Sequence, residues 1–337
     1  MILHADALTA LRTLPDASAQ TCVTSPPYYA LRDYATDGQI GLEDSPEKYV
    51  ARLVEIFREA RRVLRDDGTL WVVIGDSFAG SRGGRRDTER VCELPNGSTY
   101  KFSRPVSTYD IMRNSGDLQP KNLIGIPWML AFALRADGWY LRQDIIWHKK
   151  NPLPESVRDR CTKAHEYIFL LSKSRHYYYD ADAISEPCAK STIKRIGRSP
   201  CRPDSRKRNA DLPRYGGNKY TAAPAAFYRT KSGNTYNYKP RRNKRSVWPV
   251  STQAYRHAHF ATFPPELIRP CILAGSRQGD VVLDPFFGAG TVGVVAVEQG
   301  RNYIGIDINA EYCELARKRI ANAAQQLNVF DTGEVQE

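Results

Sequence analysis

Apolar and polar positions along this chain alternate between short apolar runs and longer amphipathic stretches, the rhythm of an α/β protein. Residues 1–30 read as a short strand at Ile2 and Leu3, a helix over Ala7 to Leu14, and a second strand, AQTCVT, that runs into a Ser-Pro-Pro. Asp44, Ser45 and Pro46 then open a helix with Glu47 in its first turn. Its apolar stripe is Val50, Leu53, Val54, Phe57, Ala60 and Leu64, and the DDG ending at Gly68 is expected to close it. LWVVIG follows as the continuous apolar run of a strand buried on both faces. Between Ser77 and Asn122 the composition turns to glycine, arginine, serine and proline, which marks a long loop. Patterning resumes with a helix in PWMLAFALRADG and strands in WYLRQDIIWHK and EYIFLLSK. After a basic segment come a helix around PPELIRPCILAG, a strand VVLD, a glycine turn, a helix TVGVVAVEQG, a strand YIGIDI and a final amphipathic helix.

Length and charge sharpen this outline. A chain of 337 residues holds one large α/β domain with a smaller insert, or two ordinary domains. MILHADALTALRTLPD lacks a basic flank followed by a long apolar core, so neither a signal peptide nor a spanning helix is expected. The seven cysteines are scattered without a C-x-x-C pair or a matching histidine cluster, a pattern that fits reduced thiols in a cytosol and no metal site. The net charge of +12 is local: from Ala189 to Arg245 there are 17 Lys and Arg against Asp204 and Asp211, so this segment carries +15 and the remainder −3. Tyr215, Tyr220, Phe227, Tyr228, Tyr236 and Tyr238 interleave with these cations. Such a composition suits either an irregular module on a polyanion, most commonly a phosphate backbone, or a solvated arm.

Two motifs carry chemistry. In DVVLDPFFGAGTVG, Gly288, Gly290 and Gly293 satisfy G-x-G-x-x-G between a strand and a helix, and Asp307 ends the next strand where an acidic side chain can meet a ribose. A nucleoside-containing cofactor is therefore expected. An NAD fold has this fingerprint at its start, yet about 30 residues follow Asp307, so the sheet has to be completed by the N-terminal strands. The second motif is VTSPPYY. Pro26 and Pro27 fix their own φ and restrict the residues before them, which makes a stiff loop out of the end of a strand. Tyr29 can serve this loop or the core.

DPFFGAGT resembles the F-x-G-x-G motif that binds S-adenosylmethionine, and TSPPYY resembles the catalytic motif of amino-methylating DNA methyltransferases. The order, catalytic motif first and cofactor motif last, is that of their permuted β class; IIWHKKNPLP and HFATFPPELI are similar to further motifs of it, over residues 1–180 and 246–325. The resemblance implies a Rossmann-like S-adenosylmethionine-dependent methyltransferase fold, circularly permuted, with a mixed, mostly parallel sheet and an inserted DNA-recognition region. Residues 1–180 and 251–325 would be the two halves of that domain, 77–122 a mobile loop, 181–250 the recognition region and 326–337 a tail.

Carried onto this chain, Phe286, Gly288 and Gly290, with Asp284 and Thr291 of the same motif, would hold the cofactor. Asp307 would meet its ribose and Asp6 its adenine, with Ala261 and Phe263 in the same pocket; Asp6 reads equally well as a helix N-cap. Ser25 and the Pro26 carbonyl would accept the N–H bonds of an exocyclic amine, Pro27 would hold them in place, and Tyr28 would stack on a base turned out of the duplex. Arg241, Arg242, Lys244, Arg245 and Trp147 are the expected DNA contacts.

Serine at the first position of the motif favours cytosine N4, with adenine N6 the alternative. A nucleic-acid-binding NAD-type protein or a catalytically silent methyltransferase fold is the alternative of another class. Cysteine attack at cytosine C5 is disfavoured, because none of the Pro-Cys pairs ending at Cys188, Cys201 and Cys271 falls between a strand and a loop. The partners implied are double-stranded DNA, a second copy of the chain and a cognate restriction endonuclease, in a bacterial or phage-infected cytoplasm.

Overall fold

The computed structural model describes residues 1–31, 38–79, 91–93, 99–101, 118–189, 191, 241–253 and 263–331. The chain divides into two compact units, one of Met1–Ala183 with Arg245–Glu337 and one of Ile184–Lys244. Eight strands build the sheet of the first unit: β1 (Ile2–His4), β2 (Ala19–Thr24), β3 (Leu64–Ile74), β4 (Tyr140–Lys149), β5 (His165–Ser172), β6 (Val247–Val250), β7 (Val281–Asp284) and β8 (Asn302–Asp307). Their order is β1-β8-β7-β2-β3-β5-β4-β6. Only β5 is reversed, antiparallel to β3 on one side and β4 on the other; every other neighbouring pair is parallel. The C-terminal ends of seven strands and the start of β5 therefore share one edge of the sheet.

The chain folds back on itself. β7 and β8, from the C-terminal quarter, lie between β1 and β2, with Val282 opposite Thr21 and Leu283 opposite Cys22. The helices are α1 (Ala7–Thr13), α2 (Pro46–Val63), α3 (Ile126–Ala136), α4 (Pro265–Gly275), α5 (Thr291–Glu298) and α6 (Ala310–Asp331). Leu70, Val72 and Ile74 of β3 share one core with Leu11, Leu53, Phe57 and Leu130 of α1, α2 and α3. Every residue of β2 is buried, as are Leu70 to Ile74 of β3, which accounts for the unbroken apolar runs in the sequence.

Several expectations move. The DDG is not a helix terminator: α2 stops at Val63, Leu64 turns extended at φ −71° and ψ 143°, and β3 runs through Asp66, Asp67 and Gly68. Val247–Val250 belongs to the sheet beside β4 rather than to the inserted region, so the insert's bounds shift from 181 and 250 to 184 and 244. The expected tail is helical as far as Asp331. The 77–122 loop is closed at its base by backbone hydrogen bonds between Ala79 and both Lys121 and Asn122. Val91–Glu93 and Thr99–Lys101 pair within it, and its remaining residues from 80 to 117 lie outside the described residues, as do 192–240 of the basic segment. Among the described residues no helix is long and apolar enough to cross a membrane.

Candidate active site

The two motifs meet because β2 and β7 are neighbours. At their C-terminal ends the Thr24 hydroxyl donates to Asp284 Oδ1 at 2.6 Å, joining residues 260 positions apart in sequence. Beyond this link a cavity of about 300 Å³ opens at the strand edge. Its walls include Ser25, Pro26, Pro27 and Tyr28 from the loop after β2, Phe286, Gly288 and Thr291 from the glycine turn, and Asp307 from the end of β8. The carboxyl edge of an open α/β sheet is where ligand crevices form, since strand ends and helix starts leave backbone groups unpaired there.

The glycine turn shapes one end. Gly288 sits at φ +50°, its N–H donates to Asp307 Oδ2 at 2.7 Å, and a Cβ on it would meet nothing within 4 Å. The Asn309 N–H donates to Asp307 Oδ1 at 2.8 Å, so this carboxylate is held by two backbone donors while still lining the cavity. Burial raises its pKa, and the two N–H bonds pull it back down. Each carboxylate oxygen accepts more than one hydrogen bond, so the group retains capacity for hydroxyls. Phe286, Phe287, Ile308 and Tyr312 add apolar and aromatic wall beside it. Apolar walls, a glycine that leaves room and an anchored carboxylate make a chemically fitting cradle for an adenosyl group.

Other expected cofactor residues divide. Asp6 is the N-cap of α1, accepting from the Thr9 N–H at 3.0 Å, and also lines the cavity, so the two readings of it coexist. Phe263 lines the cavity, and Ala261 lies outside the described residues. Asp284 does not line it. The side chain is 1% exposed, takes Thr24 and the Phe286 N–H on one oxygen, and acts as the internal link between the motifs. Burial pushes its pKa up to about 7, against those hydrogen bonds and with help from the charge of Asp307. Gly290 does not line the cavity either: at φ +77° it starts α5, and a Cβ there would stand 2.6 Å from that of Ala316. Its role is to let α6 approach.

The Ser-Pro-Pro-Tyr loop shapes the other end. The Pro27 carbonyl accepts from the Tyr49 hydroxyl at 2.7 Å, whereas no described residue donates to the Pro26 carbonyl. Tyr29 is 1% exposed and packs on Tyr49 at 5.4 Å between ring centroids, which assigns it to the core. Tyr28 instead lines the cavity, and its ring lies so close to the backbone that a Cβ on Gly75 would be 2.7 Å from Cε2. Its hydroxyl donates to Glu166 Oε2 at 2.7 Å, and Lys149 pairs with Glu166 Oε1. Burial first and the Glu166 charge second raise the phenol pKa well above its usual value, while a hydrogen bond with Ser25 opposes them.

Sequence reasoning missed Glu166 and Lys149, although both line the cavity. They sit in runs that read only as strands, and the reversed direction of β5 brings Glu166 to this edge. Trp147, expected on DNA, is 4% exposed, donates to the Val250 carbonyl at 2.9 Å and forms part of the cavity wall. In the second unit, Arg241 donates to the Ser185 hydroxyl and carbonyl, while Arg242 and Lys244 lie 3.5 and 3.8 Å from Glu186. Arg245, in the first unit, is exposed. Among the described residues no cysteine lines the cavity and no cluster of His, Cys, Asp or Glu could hold a metal.

Comparison with known proteins is decisive at this point. Residues 19–318 match the N6/N4 DNA methylase family model, a span that includes both motifs and the strands between them. The chain belongs to the DNA methylase family. It is 46% identical over 320 residues to the type II methyltransferase M.Cfr9I of Citrobacter freundii, covering 95% of this chain and 87% of that one. The solved PvuII DNA methyltransferase (cytosine-N4-specific) shares the fold, with a TM-score of 0.59 at 16% identity over 99% of this chain and 93% of that one. So does a Thermus thermophilus protein, a putative DNA modification methylase solved in complex with S-adenosyl-L-methionine, with a TM-score of 0.54 at 22% identity over 96% and 93%. A DNA methylase has to hold a methyl donor and a base side by side, and the two motifs of this chain line one cavity.

Proposed function

We propose that this DNA methylase transfers a methyl group from S-adenosylmethionine to the exocyclic N4 amine of a cytosine turned out of double-stranded DNA, in a restriction–modification setting with a cognate endonuclease. The observation that carries the reading is the shared cavity, in which Ser25 to Tyr28 face the glycine turn and Asp307 across neighbouring strand ends. When bound, the cofactor supplies an electrophilic methyl on a positively charged sulfur. Phe286, Gly288, Asp307 and Asp6 would hold it, with Thr291 and Phe263 at the same wall.

The chain's own contribution is orientation. An aromatic amine has its lone pair delocalised into the ring, and acceptors for both N–H bonds turn that lone pair toward the donor. The Ser25 hydroxyl oxygen and the Pro26 carbonyl are two such acceptors, and both residues line the cavity. The carbonyl of Pro27 is capped by Tyr49, which stiffens the loop. The Tyr28 ring, held by Gly75 and Glu166, offers a flat wall for the base. Closing a base and a donor into one small cavity converts their encounter into an intramolecular event, which supplies much of the rate. Ser25, in place of an acidic or amide residue, supports cytosine as the base. Arg241, Arg242, Lys244 and Arg245 belong to the basic segment that would track the phosphates.

Equilibrium binding and turnover test this reading together. S-adenosylmethionine is expected to bind and NAD is not, and Ser25→Ala is expected to lose methylation while keeping cofactor affinity. Binding of NAD in preference, or full activity in Ser25→Ala, would overturn it.

A further inference from the structure

The loop from Lys150 to Ala164 joins β4 to β5, and the reaction described so far gives it no task. Both of its ends meet the cavity wall: it leaves the sheet after Lys149 and returns two residues before Glu166. The Lys149 N–H donates to the Ala164 carbonyl at 2.9 Å and closes its base. Farther out, the Asn151 side chain pairs with the backbone of Thr252, accepting from its N–H at 2.8 Å and donating to its carbonyl at 3.2 Å. Thr252 also lines the cavity. Since β4 runs toward the edge where the cavity opens, the loop stands on its rim.

Leu153 follows this clamp by two residues, a reach of about 7 Å at most along the chain. It is 86% exposed, the most exposed large apolar side chain among the described residues. Pro152 and Pro154 flank it; each fixes its own φ, and Pro154 biases Leu153 itself toward extended geometry. Such a mount keeps the side chain from collapsing back onto the surface. The charges around it are sorted. Residues 150–164 hold four cations and two acids, and both acids are taken, Glu155 by Arg160 at 2.5 Å and Asp159 by Lys121 at 2.7 Å. Lys150 and Arg158 are exposed and have no carboxylate partner among the described residues.

A single apolar side chain between cations is a poor docking patch for a protein, which needs contiguous apolar area. It matches a duplex from which a base has been turned out, with phosphates outside and, in the stack, an apolar slot that has lost its occupant. We propose that Leu153 is a wedge that enters the base stack at the target site and fills the space left by the base turned into the cavity. The inference rests on the extruded-base reading given above. Extrusion costs unstacking and unpairing, and an apolar side chain in the slot offsets part of that cost. Lys150 and Arg158 take the flanking phosphates, which fix the wedge in register. The strand end that carries the cavity wall thus also carries the side chain that takes the base's place.

Two readouts on the full-length protein test this, with a duplex carrying the target site mapped by modification sequencing. In the first, methylation is compared on the paired duplex and on one whose target base faces an abasic position, where extrusion costs less. Leu153→Ala is expected to lose about 10- to 100-fold in kcat/KM on the paired duplex and less than about threefold on the unpaired one, with cofactor affinity unchanged. Leu153→Met keeps the apolar reach and is expected to stay within about threefold of the wild type on both. In the second, a fluorescent base at the target position, dim while stacked, is expected to brighten with the wild type and much less with Leu153→Ala. Equal losses on the two duplexes, no loss on either, or full brightening with Leu153→Ala overturns the wedge. No brightening with the wild type brings down the extruded-base reading itself, a separable result. Because Leu153 is exposed, neither substitution threatens the fold, and an unchanged melting temperature checks this.

Discussion

Asp284 shows how far a residue's meaning depends on burial. From sequence it reads as part of a cofactor motif, yet its carboxyl is enclosed and ties Thr24 and the Phe286 N–H, one from each motif, to a single oxygen. A buried acid whose folded pKa of about 7 lies above its unfolded value binds a proton more tightly in the native state. Its contribution is therefore fully present below the unfolded value and is lost as pH rises through about 7. Asp284→Asn can accept the same two hydrogen bonds and has no charge to bury. The melting temperature of the wild type is expected to fall relative to that of Asp284→Asn between about pH 5 and pH 8; parallel curves would show that this carboxyl does not titrate there. Ser25, Tyr28, Gly288 and Asp307, all of which line the cavity, could be singled out from the sequence because each stands in a short motif whose spacing has a geometric cause. Glu166 could not, because nothing in EYIFLLSK distinguishes an edge residue from a core one, and Lys149 was passed over although it stands in IIWHKKNPLP, a stretch noted for its resemblance and not for this side chain.

Elements carried more of the signal than single side chains. The period of the apolar positions located nearly every strand and helix of the sheet domain, since buried parallel strands need continuous apolar runs and the flanking helices need one apolar stripe. It failed at the DDG, where turn-forming residues sit inside β3, and at Val247–Val250, where four residues form an edge strand too short to stand out from a basic segment. The contact of α5 with α6 is the element-scale feature with the sharpest test. Gly290→Ala places a methyl both in the left-handed region and 2.6 Å from Ala316 Cβ. Gly279→Ala, at φ +79° with nothing within 4 Å, carries the backbone strain alone. The first is expected to destabilise by roughly 2–4 kcal/mol and the second by about 1 kcal/mol in denaturant unfolding. Equal losses would mean that the α5–α6 contact relaxes freely.

At the scale of the whole molecule the decisive inference was topological. A glycine fingerprint close to the C-terminal end and a Ser-Pro-Pro near the other make one site only if the late strands pair with the early ones, and β7 and β8 do lie between β1 and β2. The order of motifs could be read from the sequence, and the sheet order explains why that order works. What composition could not rank is which cations of the Ala189–Arg245 segment meet phosphate and which meet bases, because 15 net charges attract any polyanion and base edges are read by individual side chains. The central claim, methylation of cytosine N4, is met most directly by digesting DNA treated with the purified protein and S-adenosylmethionine to nucleosides and weighing them. N4-methylcytosine is the expected product, absent from Ser25→Ala reactions; N6-methyladenine as the sole product would contradict the claim.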